Sequence, residues 1–141
     1  MGMKVGSLVM AVLLLVAGLA VYAAPASAHK VRKITAGSIC RYEERYYVWT
    51  PGETWWVKGR LKPGHGDKRI VLQRSKRGRY WRTWKTTRSH TGGRYRFQGI
   101  ARNRGAGWWV NLRVVMPAQD GHERAVSKSM YIDMNPATRC R

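Results

Sequence analysis

From Thr54 onward the chain alternates apolar and polar positions with a period of two. Trp55, Val57, Gly59 and Leu61 fall on one side of a run whose other side is Trp56, Lys58, Arg60 and Lys62. Successive side chains of an extended chain point to opposite faces, so this run reads as a strand with one buried side. The same period sets Ile70 and Leu72 against Val71 and Gln73, and Tyr95 and Phe97 against Arg94, Arg96 and Gln98. The longest apolar row is Trp108, Val110, Leu112, Val114 and Met116, with Trp109, Asn111 and Arg113 behind it. Residues 80–88 form a further strand of ambiguous parity, because Trp81 and Trp84 fall on opposite sides; either a bulge intervenes or one tryptophan is exposed. Residues 39–49 read as the first full strand and 124–132 as the last. Residues 29–38 read as a flexible arm or a first edge strand.

Turn signals separate these runs: Thr50-Pro51-Gly52, Pro63-Gly64-His65-Gly66-Asp67, Lys76-Arg77-Gly78 and Thr91-Gly92-Gly93. About seven short strands so punctuated, with no helical period after residue 28, predict an all-β fold, an antiparallel β-sandwich.

Residues 1–28 are of a different kind. Lys4 precedes an apolar run from Val5 to Ala23, and Ala26-Ser27-Ala28 is a small-x-small cleavage site. This is the pattern of a signal peptide, cleaved before His29. The alternative is a retained membrane anchor, since the run is about long enough to span a bilayer. No later segment is apolar enough to cross one, so none remains after cleavage. The expected organisation is a signal peptide over 1–28, a basic arm and first strand over 29–49, and the sandwich with its tail over 50–141.

Charge changes the picture from fold to function. The chain has 27 Lys and Arg against 7 Asp and Glu, a formal net charge of +20, and only Lys4 of the 27 lies in the signal. An imbalance of this size repels itself in the compact state and favours anionic partners; solubility alone needs much less. Anionic polymer or cell-wall glycan is the leading partner class, an extracellular protein is an alternative, and nucleic acid ranks lower for an exported chain. The expected location is secreted, with cell-wall association as a possibility. Cys40 and Cys140 are the only cysteines. In an exported protein an even pair reads as a disulfide bond. It would close a loop of about 100 residues, worth about 4.7 kcal/mol in the chain-entropy picture.

The order of Pro51-Gly52, Val57, Gly59, Leu72-Gln73-Arg74, Trp81, Thr91, Gly93, Tyr95, Phe97, Leu112-Arg113-Val114 and Ala125-Val126-Ser127 resembles bacterial secreted immunoglobulin-like or fibronectin-type domains. The likeness covers about residues 50–132. It departs from the family at Leu112, where a tyrosine is frequent, and in its basicity. The resemblance implies an immunoglobulin-like sandwich, a spacer or binding module and no enzyme. It carries over no site residues. In such a strand order the first and last strands are neighbours, which suits a bridge between Cys40 and Cys140.

Two faces are candidate binding sites. If 54–61 is strand B and 94–99 strand E, they pair, and Trp56, Lys58, Arg60, Arg94 and Arg96 share one outer face. Like charges side by side are unfavourable, so an anion would relieve them; a merely solvated face is the alternative. On the opposite sheet Trp109, Asn111 and Arg113 would lie beside Gln73, with Arg82 and Trp84 near if they point outward. Exposed aromatic rings there could stack on sugars or bases, or could be covered by arginine stems. Lying on opposite sides, the two faces would not form one groove. A less favoured reading is a small copper-binding protein using His29 with one of His65, His90 or His122; otherwise no metal or cofactor is expected. The acids sit mostly in or beside turns, and no nucleophile elbow, phosphate loop or zinc spacing appears. No catalytic site is predicted.

Overall fold

The computed structural model describes residues 31, 33–38, 41–42, 46–105 and 107–134, with backbone alone at 41–42. The signal, His29, Cys40 and Cys140 lie outside the described residues. The described residues form ten strands: β1 (Lys33–Ser38), β2 (Arg41–Tyr42), β3 (Tyr46–Trp49), β4 (Thr54–Lys62), β5 (Arg69–Ser75), β6 (Arg82–Arg88), β7 (Arg94–Ile100), β8 (Trp108–Met116), β9 (Ala125–Val126) and β10 (Met130–Met134). They form two sheets, one ordered β1-β4-β7 and the other β2-β3-β10-β8-β5-β6, with β9 also on β8. The protein is an all-β sandwich.

The alternation seen along the chain decides which side of each strand is inside. Val57 and Leu61 of β4, Ile70 and Leu72 of β5, and Leu112, Val114 and Met116 of β8 are fully buried, as are Trp55, Tyr95 and Phe97 almost completely. Burying one large apolar side chain stabilises by about 1.5–3 kcal/mol, and these rows supply the core.

Three expectations are corrected. The sheets are not purely antiparallel: β10 runs parallel to β3, pairing Ile132 with Tyr47. In place of one strand over 39–49, its described residues form two short strands, β2 and β3; of the two readings of 29–38, the edge strand holds over 33–38, antiparallel to β4 with Ile34 opposite Leu61. The strand expected over 80–88 starts at Arg82, and its register against β5 shifts between Leu72 and Gln73. The two tryptophans remain on opposite sides, with Trp81 just ahead of the strand. Trp84 turns inward against Trp55 and Trp49, and Trp81 stays outside.

Two polar contacts fix how strands meet. The Trp49 indole N–H donates to Ser38 Oγ at 2.9 Å, and Ser38 Oγ donates to the Trp56 carbonyl, so a buried donor is satisfied across the two sheets. In the first sheet Ala36, Gly59 and Tyr95 are level on adjacent strands. The Tyr95 hydroxyl crosses over Gly59 and donates to the Thr35 carbonyl. A Cβ at position 59 would collide with that carbonyl and that hydroxyl.

The loop after β8 is clamped to the start of β5. Gln119 accepts from the Arg69 amide at 2.8 Å and donates to its carbonyl at 2.9 Å. Lys68 Nζ lies 3.0 Å from Asp120 Oδ2. The Lys68 hydrogen bond, and then its charge, hold the Asp120 carboxyl below its ordinary value. A depressed carboxyl stabilises above its unfolded value, and that contribution is lost as pH falls through the folded one. Asp120→Asn, which also tolerates the left-handed backbone there, should flatten the acid limb of a plot of Tm against pH. An acid limb unchanged by the substitution would place the effect elsewhere.

Candidate functional site: a basic sheet face and a tryptophan-lined cavity

β1, β4 and β7 contain no acidic residue. Their register places Lys58 opposite Arg96, Arg60 opposite Arg94, and Lys33 opposite Lys62. All six side chains are exposed on one face. Trp56, opposite Gln98, continues the same row. The structure therefore brings together Trp56, Lys58, Arg60, Arg94 and Arg96, as the alternation predicted, and adds Lys33 and Lys62. Three like-charge pairs directly across a sheet are destabilising. Local contacts offset only part of this. Lys58 Nζ sits 4.3 Å from the Trp56 ring centroid, and Arg60 Nε donates to the Gly92 carbonyl at 2.7 Å. The two described ion pairs, Lys68–Asp120 and Arg88–Asp67, lie elsewhere.

A depression of about 760 Å³ opens on this face, lined by Thr35, Gly37, Lys58, Arg60, Arg94 and Arg96 among others. Gly37 lies opposite Lys58 and has no side chain to fill the row between them. Such a concavity, lined with cations and one indole, offers forked guanidinium donors and ammonium point charges to an anion.

The second predicted face divides in two. Trp109, 38% exposed, stacks on Tyr131 with centroids 5.4 Å apart, and Tyr131 meets Tyr46 edge-on at 6.2 Å. Four residues along β8, Arg113 Nε donates to Gln73 Oε1 at 2.8 Å, and its guanidinium lies 4.3 Å from the Trp81 ring centroid. Burial first, and then the charge of Arg124, lower the Arg113 pKa. Trp109 and Arg113 thus share a face but belong to separate clusters about 13 Å apart along the strand. The cover over Trp81 is the Arg113 guanidinium. Asn111 reaches the Lys76 carbonyl at 3.4 Å, and Trp84 has left this face for the interior.

A third feature was not anticipated. Trp49, Trp55, Trp84 and Trp108 come from four strands, only Trp55 and Trp108 having been placed inward by alternation, and they line a single cavity of about 490 Å³. Trp49 and Trp55 stack at 4.6 Å, and Trp55 and Trp84 at 4.9 Å. Arg74, Lys85, Arg102 and Arg104 complete its wall. Gly99 is what lets the Trp55 indole lie against β7, since a Cβ there would come within 2.9 Å of the ring. Alternation marked Trp55 and Trp108 as inward and gave Trp49 and Trp84 no face. That all four meet at one cavity depends on how the strands pack.

His65 and His122 pack ring to ring with centroids 4.4 Å apart, and His90 lies beside the basic depression. Among the described residues no group of three or more His, Cys, Asp or Glu could hold a metal ion. No helix among them is long and apolar enough to cross a membrane. The chain matches no family model and no curated protein.

Proposed function

We propose that the protein is a secreted, non-catalytic binding module for anionic or carbohydrate polymers of the cell surface, held by the face of β1, β4 and β7. The observation that carries the reading is the row of three like-charge pairs without an acid on any of the three strands. The fold gives up stability to keep these charges together, and a polyanion recovers it. Trp56 adds a ring surface beside the charges. The immunoglobulin-like resemblance draws support from the strand order. β4 pairs with β7, while β5, β8 and β10 are neighbours in the other sheet, as strands B and E and strands C, F and G are in that frame. β2, which follows Cys40, pairs with β3, and β3 is the parallel neighbour of β10, the last described strand before Cys140, an arrangement that suits the proposed Cys40–Cys140 bridge.

Retention on an acidic wall polymer should fall steeply as salt rises from roughly 0.05 to 0.5 M, because screening and counterion release both weaken such contacts. A neutral glycan and duplex DNA serve as comparisons on the same column. Retention indifferent to salt would sink the electrostatic reading; tighter retention on DNA would replace the wall polymer with nucleic acid.

A further inference from the structure

β7 borders two sites. Its outward residues Arg94 and Arg96 line the basic depression, and its last residues, Gly99 and Ile100, line the tryptophan cavity. The whole strand, Arg94 to Ile100, is seven residues, roughly 20 Å long.

The cavity holds cations against its indoles. The Arg74 guanidinium lies 5.5 Å from the Trp84 centroid, Arg104 lies 6.0 Å from Trp108, and Lys85 Nζ lies 5.4 Å from Trp55. These are within the ~6 Å over which a ring face attracts a cation. Lys85 is further tied by donating to the Gln98 carbonyl at 3.1 Å. Charges held in this way lose less freedom when an anion arrives. Among the described residues no carboxylate lines the cavity. A neighbouring cavity of about 530 Å³ shares Arg74, Arg104 and Trp108 and extends to Tyr80, which is 83% exposed.

Trp84 and Trp108 are half-buried and present their rings to the cavity, with Trp49 and Trp55 almost fully buried behind them, and the occupant must use both these rings and the charges. An inorganic anion engages the cations but leaves the indoles and most of the volume unused. A neutral sugar engages the indoles and leaves the cations without partners. A nucleobase is uncharged, and its phosphate lies outside the ring, whereas these cations sit over the ring faces themselves. A sugar ring that carries its own carboxylate meets both. We propose that the cavity is a subsite for an anionic sugar ring of the hexuronate type, belonging to the same acidic polysaccharide chain that lies on the β1/β4/β7 face. The proposal rests on the reading given under Proposed function.

Four tryptophans at the site make intrinsic fluorescence the readout. Titration of the full chain with trigalacturonate at low salt should give a saturable change in emission. Arg74→Gln with Arg104→Gln should weaken it by about tenfold or more, as expected for loss of charge-assisted hydrogen bonds; each single variant should weaken it in the same direction. Both side chains are exposed, and thermal unfolding confirms that the variants fold. R94E/R96E should leave the trimer titration nearly unchanged while weakening retention of long polygalacturonate. A trimer titration unaffected by R74Q/R104Q overturns the subsite. So does the same emission change produced at lower concentration by inorganic phosphate or by a nucleoside monophosphate. Polymer retention that R94E/R96E leaves intact overturns the face reading instead, so the two failures are distinguishable.

Discussion

Arg94→Glu with Arg96→Glu is expected to lower affinity for an acidic polymer by a hundredfold or so at low salt and, at the same time, to raise thermal stability. The two effects have one origin. Arg94 faces Arg60 and Arg96 faces Lys58 across the β4–β7 ladder. Reversal turns two like-charge pairs into two opposite-charge pairs, each worth roughly 0.2–1 kcal/mol relative to a neutral pair, and also removes the original repulsion. The same change deletes two guanidinium forks from the depression and puts carboxylates in their place. Hydrogen bonds to charged groups contribute about 1.5–3 kcal/mol each, so losing two accounts for a hundredfold or so even with imperfect additivity. The stability gain should shrink as salt is added, because exposed charges are screened. Equilibrium binding and thermal unfolding on the same preparation check both halves. A variant that binds less and is also less stable would mean that the face is structural.

The second large effect is expected at Gly59. Gly59→Ala should destabilise by about 3 kcal/mol or more, above the usual range for overpacking, because the atoms in the way are a backbone carbonyl and a hydrogen-bonded hydroxyl. Neither is the free end of a flexible chain. Tyr95→Phe separates the two obstacles. It removes the hydroxyl but leaves the Thr35 carbonyl, so the double variant should recover only part of the loss.

Tyr95→Phe alone should cost about 1 kcal/mol at neutral pH through the lost hydrogen bond. Its pH dependence carries a further test. Burial raises the Tyr95 phenol well above its ordinary value near 10. A group whose folded pKa is raised stabilises fully below the unfolded value and loses that contribution as pH climbs beyond it. The gap between wild type and Tyr95→Phe should therefore close above pH 10, at up to about 1.4 kcal/mol per pH unit. Chemical denaturation at pH 8 and pH 11 reads it directly. A gap that is constant across that range would mean that the hydroxyl is not shielded from solvent.

Much of the architecture was legible because strand periodicity is a local property. Val57 and Leu61, Ile70 and Leu72, Tyr95 and Phe97, and the row from Val110 to Met116 alternate with polar neighbours, and each proves to be inside. The basic face was legible for the same reason: once β4 and β7 are placed side by side, their outward residues must share a surface. The register that sets Lys58 against Arg96 needed the ladder itself. Outward parity also failed to mean exposure at Val71 and Val115, which oppose each other between β5 and β8 and are buried.

Trp84 shows the limit most clearly. Alternation along 80–88 gave no consistent face, since one irregularity in pairing with β5 moves every later side chain to the other side. Only the paired strands show where that shift falls, between Leu72 and Gln73. The parallel contact of β3 with β10 was equally out of reach. It joins residues more than eighty positions apart, and nothing local in either segment signals its partner or its direction.

By itself the sequence determined the all-β class, the inward rows, the excess of positive charge and the cations of the β4–β7 face. Each follows from the period of two and from counting charges. The tertiary structure alone decided the parallel closure, the cross-strand charge pairs and the convergence of Trp49, Trp55, Trp84 and Trp108 around one cavity. A period states which side of a strand a residue occupies. It does not state what stands opposite, and opposition across a ladder or a cavity sets both the energy of a charge pair and the chemistry of a site.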